Sequence, residues 1–186
     1  SFSNGDLVLS VTDTAGKLVV DDNTQYFGTA DSYVSFTKRL KSGGKSSSKN
    51  NLTLTLPVDG TLKVYARTGK NSETNRNIKL TQDGTQLIDK ILLESEAVKA
   101  TVEGETEQKS VYPAVSVAVK QGDVVITYPT NSVNIDGIEL ATATGVSSVS
   151  VTEAKAKTAT FNLAGQQVSE SYKGIVVKNG KKYLNK

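Results

Sequence analysis

LTLTLPVDGTLKVYAR, residues 52–67, is the stretch that decides the fold. Leu52, Leu54 and Leu56 alternate with threonine, and Leu62, Val64 and Ala66 resume the same period after a break bracketed by Pro57 and Gly60. Successive side chains of a strand point to opposite faces, so a period of two describes a strand with one buried face. Proline and glycine between two such runs punctuate a turn. The stretch therefore reads as two strands. Their leucine, valine and alanine positions face inward, and Lys63, Tyr65 and Arg67 face outward.

The same period extends in both directions. Residues 7–11 and 17–20 flank an Asp13-Thr14-Ala15-Gly16 turn and read as an opening hairpin, with a break at Asp21-Asp22-Asn23. Residues 33–41 alternate Val34, Phe36, Lys38 and Leu40 on one face with Tyr33, Ser35, Thr37, Arg39 and Lys41 on the other. Residues 42–50, SGGKSSSKN, read as a flexible polar loop. Downstream, Ile78 and Leu80 precede an Asp83-Gly84 turn, and further strands are expected at 86–93, 97–102, 111–119, 124–128 and 133–140. Residues 88–98 carry mixed signals, because a short apolar run fits a strand or a short helix. Many short strands and no clear helical window predict an all-β sandwich or barrel.

The main run ends near Leu140. Residues 141–158, rich in Ala, Thr, Ser and Val, read as a linker with one strand expected at 146–151. Residues 159–186 read as a small C-terminal β domain, with Asn179-Gly180 a two-residue hairpin signal. The domain boundaries are thus 1–140, 141–158 and 159–186. Hairpins this small are not stable alone, so the tail is expected to pack on another body.

Composition narrows the chemistry. The chain of 186 residues has no histidine and no cysteine. Histidine-based triads, thiolate metal sites and disulfides are therefore excluded. The net charge of +3 is interspersed along the chain and builds no nucleic-acid-binding patch. No apolar run approaches membrane-spanning length, so no membrane insertion is expected. Methionine is absent, and Ser1 reads as the start of a trimmed chain or of a mature chain after signal removal.

Few residues are left to carry a site. Glu94 with Glu96, and Glu103, Glu105 and Glu107, repeat at spacing two; the plain reading is a solvated edge or loop rather than a hydrolytic carboxylate pair. Gly44-Lys45-Ser46 resembles the end of a phosphate loop, but Arg39 stands where the first glycine belongs and no helix follows. Most aspartates lie at turns, where they bond their own backbone. Asp136, in the last strand of the main run, is the candidate ligand of a structural calcium ion; no other cofactor is implied. The outward residues offer more. Tyr65 and Arg67 share one strand face, Tyr33, Arg39 and Lys41 another, and Arg76 and Asn77 precede the Ile78 strand. Sugar rings stack on aromatic faces, and arginine's planar fork matches a uronate carboxylate. The competing reading is a set of cross-strand pairs on a solvated sheet.

Three pieces, YFGTADSYVSFTKRLKSGG (26–44), LTLTLPVDGTLKVYARTGKNSETNRNIKLTQDG (52–84) and VNIDGIEL (133–140), together resemble the jelly-roll modules attached to pectate lyases and related polysaccharide-degrading proteins of gut Bacteroidetes. The resemblance implies a galactose-binding-like jelly-roll β-sandwich that binds carbohydrate. The acidic segment 103–107 fits no motif of that family. FNLAGQQV (161–168) and YKGIVVKNGKKYLNK (172–186) are similar to short C-terminal domains akin to type IX sorting domains. That similarity implies export to the surface or medium, with export machinery as a partner. The expectation is a non-catalytic carbohydrate-binding module of a secreted or cell-surface protein. It favours pectic or other acidic polysaccharide. A structural or adhesive surface module contacting proteins is the alternative. A small lyase or hydrolase stands third.

Overall fold

The computed structural model describes residues 1–72, 74–142, 160–162, 167–168, 173–178 and 181–185. The chain divides into two units, Ser1–Ala143 and Thr144–Lys186. The first unit is a β-sandwich of two sheets, as the all-β jelly-roll expectation requires.

The first sheet has the order β1-β2-β5-β12-β7-β8, with β1 Phe2–Asn4, β2 Leu7–Asp13, β5 Asn50–Leu56, β7 Asn77–Gln82, β8 Thr85–Ile91 and β12 Gly122–Thr127. The second has the order β11-β6-β13-β4-β3-β10-β9. Its strands are β3 Leu18–Gly28, β4 Tyr33–Ser42, β6 Gly60–Thr68, β9 Val98–Ala100, β10 Lys109–Tyr112, β11 Val115–Val119 and β13 Val133–Ala141. All pairings are antiparallel except β10 with β3.

The alternation of residues 52–67 builds the core between the sheets. Leu52, Leu54 and Leu56 enter from β5, and Leu62, Val64 and Ala66 from β6. Ile78, Leu80, Val124, Ile126, Val133 and Ile135 complete the interior. Each fully buried side chain of this size contributes roughly 1.5–3 kcal/mol, so these positions dominate the fold's stability. Tyr128 is also fully buried. Its hydroxyl donates to Asn50 Oδ1 at 2.6 Å, which satisfies the one polar atom that burial would strand.

The Asp83-Gly84 signal forms the β7–β8 hairpin. Both residues have positive φ, 49° and 74°, the backbone that a type I′ connection demands. The expected opening hairpin does not form. Residues 7–11 lie in the first sheet and 18–20 in the second, so the turn between them crosses the sandwich. Asp13 holds that turn, its carboxylate accepting from the amides of Lys17 at 2.7 Å and Leu18 at 2.9 Å. Local alternation cannot distinguish a hairpin from such an arch, because both join two strands through a polar turn.

Asp21, Asp22 and Asn23 do not break the chain; they lie within β3, at an irregularity between Asp22 and Gln25. The polar segment 42–50 is pinned rather than free. Ser42 Oγ donates to the Val133 carbonyl and accepts from its amide, and Ser46 exchanges bonds with the Tyr128 backbone. The ambiguous segment 88–98 resolves as the end of β8, a 3-10 turn at Glu94–Glu96, and the start of β9.

In the second unit, β14 Thr160–Asn162, β15 Gln167–Val168, β16 Gly174–Lys178 and β17 Lys181–Asn185 form a sheet of order β15-β14-β16-β17. Lys178 pairs with Lys181, the register that a two-residue connection at 179–180 sets. Asn179 and Gly180 themselves lie outside the described residues, as do most of the 141–158 segment and its expected strand at 146–151.

Candidate functional site

The outer face of β6 was expected to be open to ligand. Alternation assigns the face correctly, since Tyr65 and Arg67 lie opposite Val64 and Ala66 of the core. It does not show what lies above them. Tyr65 is 6% exposed and Arg67 9%. The 3-10 turn brings Glu94 onto Arg67, whose Nη2 donates to both carboxylate oxygens at 2.9 and 3.0 Å. Nη1 donates to Gln25 Oε1, and the guanidinium lies 4.0 Å over the Tyr112 ring. Tyr112 closes the circuit by donating its hydroxyl to Glu94 Oε2 at 2.8 Å.

Phe27 is the hub of an aromatic cluster on this face. Its ring meets Phe36, Tyr65 and Tyr112 at centroid distances of 6.0, 5.6 and 6.0 Å. Tyr65 donates its hydroxyl to Glu139 Oε2 at 2.5 Å, and burial with this carboxylate pushes its pKa up to about 12. Phe36 therefore packs on the outer face, whereas Leu40 of the same strand packs against the inner core. The continuous alternation expected for residues 33–41 is interrupted between them.

The other expected contacts are scattered. Arg76 is buried and donates through Nη1 to the carbonyl of Ser132 at 2.9 Å and to its hydroxyl. Asn77, in the first sheet, donates to Asp89 at 2.5 Å and accepts from Thr130 at 2.6 Å. Tyr33 stacks edge-on against Tyr26 at 5.8 Å. The expectation that Tyr65, Arg67 and Arg76 present themselves to ligand is thus corrected: each is buried and bonded to groups within the protein, although the Nε atoms of Arg67 and Arg76 have no partner. Glu94, read from sequence as a solvated edge residue, is the keystone of this network.

Arg39 and Lys41 remain reachable. Asp21, opposite Arg39 on β3, accepts from Arg39 Nε at 2.7 Å and from Lys41 Nζ at 3.0 Å. These two partners, Arg39 first, hold the Asp21 carboxyl down at about 2. Lys38 pairs with Asp22 at 2.5 Å, with side chains 67% and 84% exposed. Exposed pairs of this kind contribute little and exchange readily for a competing charge.

Beside this strip a cavity of about 380 Å³ opens between the sheets. Leu7, Leu9 and Leu54 form its wall on one sheet, and Leu40, Ile135 and Ile138 on the other. Phe2, half exposed, stands at its edge with Lys38 and Arg39. Asp136 also lines it. The β13–β6 register shifts between Ile135 and Gly137, which makes Asp136 the extra residue of a β-bulge. Gly137 is required there, because a Cβ would stand 2.3 Å from the Phe36 ring.

Asp136 is 8% exposed, and neither carboxylate oxygen has a hydrogen-bond partner in the protein. Burial pushes its pKa up to about 7, against the opposing pull of Arg67 and Arg39. The calcium expectation for Asp136 gains no support from its surroundings. Calcium takes six to eight oxygens, and among the described residues no group of three or more acidic side chains gathers to supply them. The sequence did carry a signal for this spot: a glycine following Asp136 inside a strand pattern marks a bulge or a close approach.

Among the described residues no helix is long and apolar enough to cross a membrane. No protein-family model matches the chain, and no curated protein matches it. Among solved structures it is similar to the catalytic domain of a GH87 alpha-1,3-glucanase in complex with nigerose, with a TM-score of 0.37 at 8% identity. A variant of that domain in complex with tetrasaccharides gives the same values. The similarity covers 76% of this chain and 29% of the glucanase domain, so the chain spans less than a third of that neighbour's length.

Proposed function

We propose that the chain is a non-catalytic binding module of an exported bacterial protein, directed at polysaccharide of acidic character. The observation that carries this reading is the β3–β4 ribbon. Lys38, Arg39 and Lys41 stand on one strand, restrained only by Asp21 and Asp22 across the ribbon. A uronate carboxylate can replace either aspartate, and on Arg39 it would accept two parallel bonds from the guanidinium. The apolar ground beside the strip, with Phe2 and Val20 each about half exposed, suits the hydrophobic faces of sugar rings. The resemblance of residues 26–44 to pectate-lyase-associated modules supports the same ligand class.

Affinity electrophoresis tests the reading. The chain should be retarded in gels containing polygalacturonate and not in gels containing a neutral glucan. Lys38→Ala combined with Lys41→Ala should abolish most of the retardation, and added salt should weaken it because the contact is ionic. Equal mobility in all gels overturns the polysaccharide reading. Release of reducing ends or of unsaturated products from the polymer overturns the non-catalytic one.

A further inference from the structure

The charged side chains on β3, β4, β6 and β13 are matched one to one except in one place. Lys38 is matched by Asp22, Lys63 by Glu139, and Arg67 by Glu94 of the 3-10 turn. Arg39 and Lys41 share a single partner, Asp21, so the ribbon keeps one positive charge in excess. The remaining acidic side chain on these strands is Asp136. It follows Asn134 and Ile135, which pair with Lys41 and Leu40, and so comes next towards Arg39 along the β13–β4 ladder. Its carboxylate oxygens are shut off from solvent and accept no hydrogen bond. Charge therefore reaches it only through space. Arg67 from β6 and Arg39 from β4 favour its ionised form, and Asp21 from β3 opposes it. The first sheet contributes Leu7, Leu9 and Leu54 to the adjoining cavity and no ionisable side chain.

We propose that Asp136 regulates the ribbon: by taking up or losing a proton it restores or cancels the excess positive charge with which Arg39 and Lys41 hold an acidic polymer. The inference rests on the polysaccharide reading and adds the control of that site. Burial pushes the Asp136 carboxyl up to about 7, against the pull of Arg67 and Arg39. Below that pH the carboxyl is neutral and the ribbon keeps its excess charge. Above it the carboxylate balances that charge, and a polyanion is held less firmly. Contact is not needed, because salt screens a buried charge much less than a surface one. The chain has no histidine and no cysteine, the side chains that usually answer to pH in this range, so the buried carboxyl takes over their role.

Affinity electrophoresis of the full chain in polygalacturonate gels tests the regulation, at low ionic strength and at about pH 5.5 and about pH 8.5, each against a gel without polymer. The uronate carboxyls stay ionised across this range, so a change in retardation belongs to the protein. Affinity should be about three- to tenfold higher at the lower pH. Asp136→Asn should remove the step and hold the affinity at the parent's low-pH level throughout, with the circular dichroism spectrum unchanged. The terminal amine also titrates near this range, but the variant retains it, so it cannot account for a step that the substitution removes. A second readout needs no polymer: the Arg39 Nε–Hε resonance should titrate with Asp136 in the parent and stay flat in the variant. Equal retardation at both pH values, a step that survives Asp136→Asn, or an Arg39 resonance that ignores the carboxyl overturns the regulation and leaves the polysaccharide reading standing. Absence of retardation at both pH values overturns that reading and the regulation with it.

Discussion

Arg67 and Asp136 stand on neighbouring strands of one sheet, both buried and both ionisable, and the protein treats them in opposite ways. Arg67 is enclosed by Glu94, Gln25 and the Tyr112 ring. Asp136, in the bulge of β13, has both oxygens unbonded and shut off from solvent, with only the longer-range pull of Arg67 and Arg39 upon them. A buried charge with good partners is committed to the fold, because removing any partner strands the others. A buried carboxyl without partners is a standing cost when ionised, and protonation relieves it. Partners, rather than burial, decide whether such a group keeps its charge.

The strongest way to break the comparison is Arg67→Ala. It leaves Glu94 facing Tyr112 with no cation, and the loss of one partner from a buried pair costs about 3–5 kcal/mol. Urea denaturation should show a midpoint shifted far down with an unchanged slope. A loss within error would mean that the network is ornamental and that the face above β6 opens to solvent.

Asp136→Asn should move stability the other way. The folded pKa of about 7 lies well above the ordinary value of 3.8, so the folded state binds more protons than the unfolded state between these limits. Stability therefore falls as pH rises through that window and levels off above it. Arg67, Arg39 and Asp21 are the charged groups that modulate the carboxyl. Asparagine removes this dependence and should stabilise the protein by on the order of 2–3 kcal/mol above neutral pH. Thermal melts of both proteins at several pH values give the check: the two curves should converge near pH 4 and separate above it.

Gly137→Ala probes the bulge that places Asp136. The added methyl would meet the Phe36 ring, which is itself held by Phe27 and Tyr65, so the ring has little room to yield. Overpacking of this kind costs about 1–3 kcal/mol. A shift in the Phe36 aromatic proton resonances should accompany the lower melting temperature.

These contrasts explain what was legible in the sequence. Leu52 to Ala66 announced their strands and their buried face because hydrophobic period is a local property. Asp83-Gly84 announced its hairpin because the turn needs particular backbone angles at two adjacent residues. The arch at residues 13–16 was misread because the partner of β2 is β5, some forty residues away. The site was misread for the same reason. Tyr65 and Arg67 were placed on the right face, but their cover comes from Glu94 and Tyr112, distant in sequence and carrying no pattern that points back to β6. Asp136 is legible in sequence as a carboxylate in the last strand and a candidate calcium ligand, and its lack of hydrogen-bond partners is visible only in three dimensions.

Lys38→Ala carries the smallest expected effect and marks the far end of the comparison. Its ion pair with Asp22 is exposed on both sides, so solvent and salt already screen it. The urea midpoint should not move measurably. Any effect should appear instead in polygalacturonate retardation, where the lysine faces a multivalent anion. If Lys38→Ala unfolded the protein more easily while leaving retardation intact, the ribbon would belong with Arg67 as architecture. If it weakens retardation alone, the β3–β4 strip stands apart from Arg67 and Asp136 as a surface whose polarity is not spent on the fold.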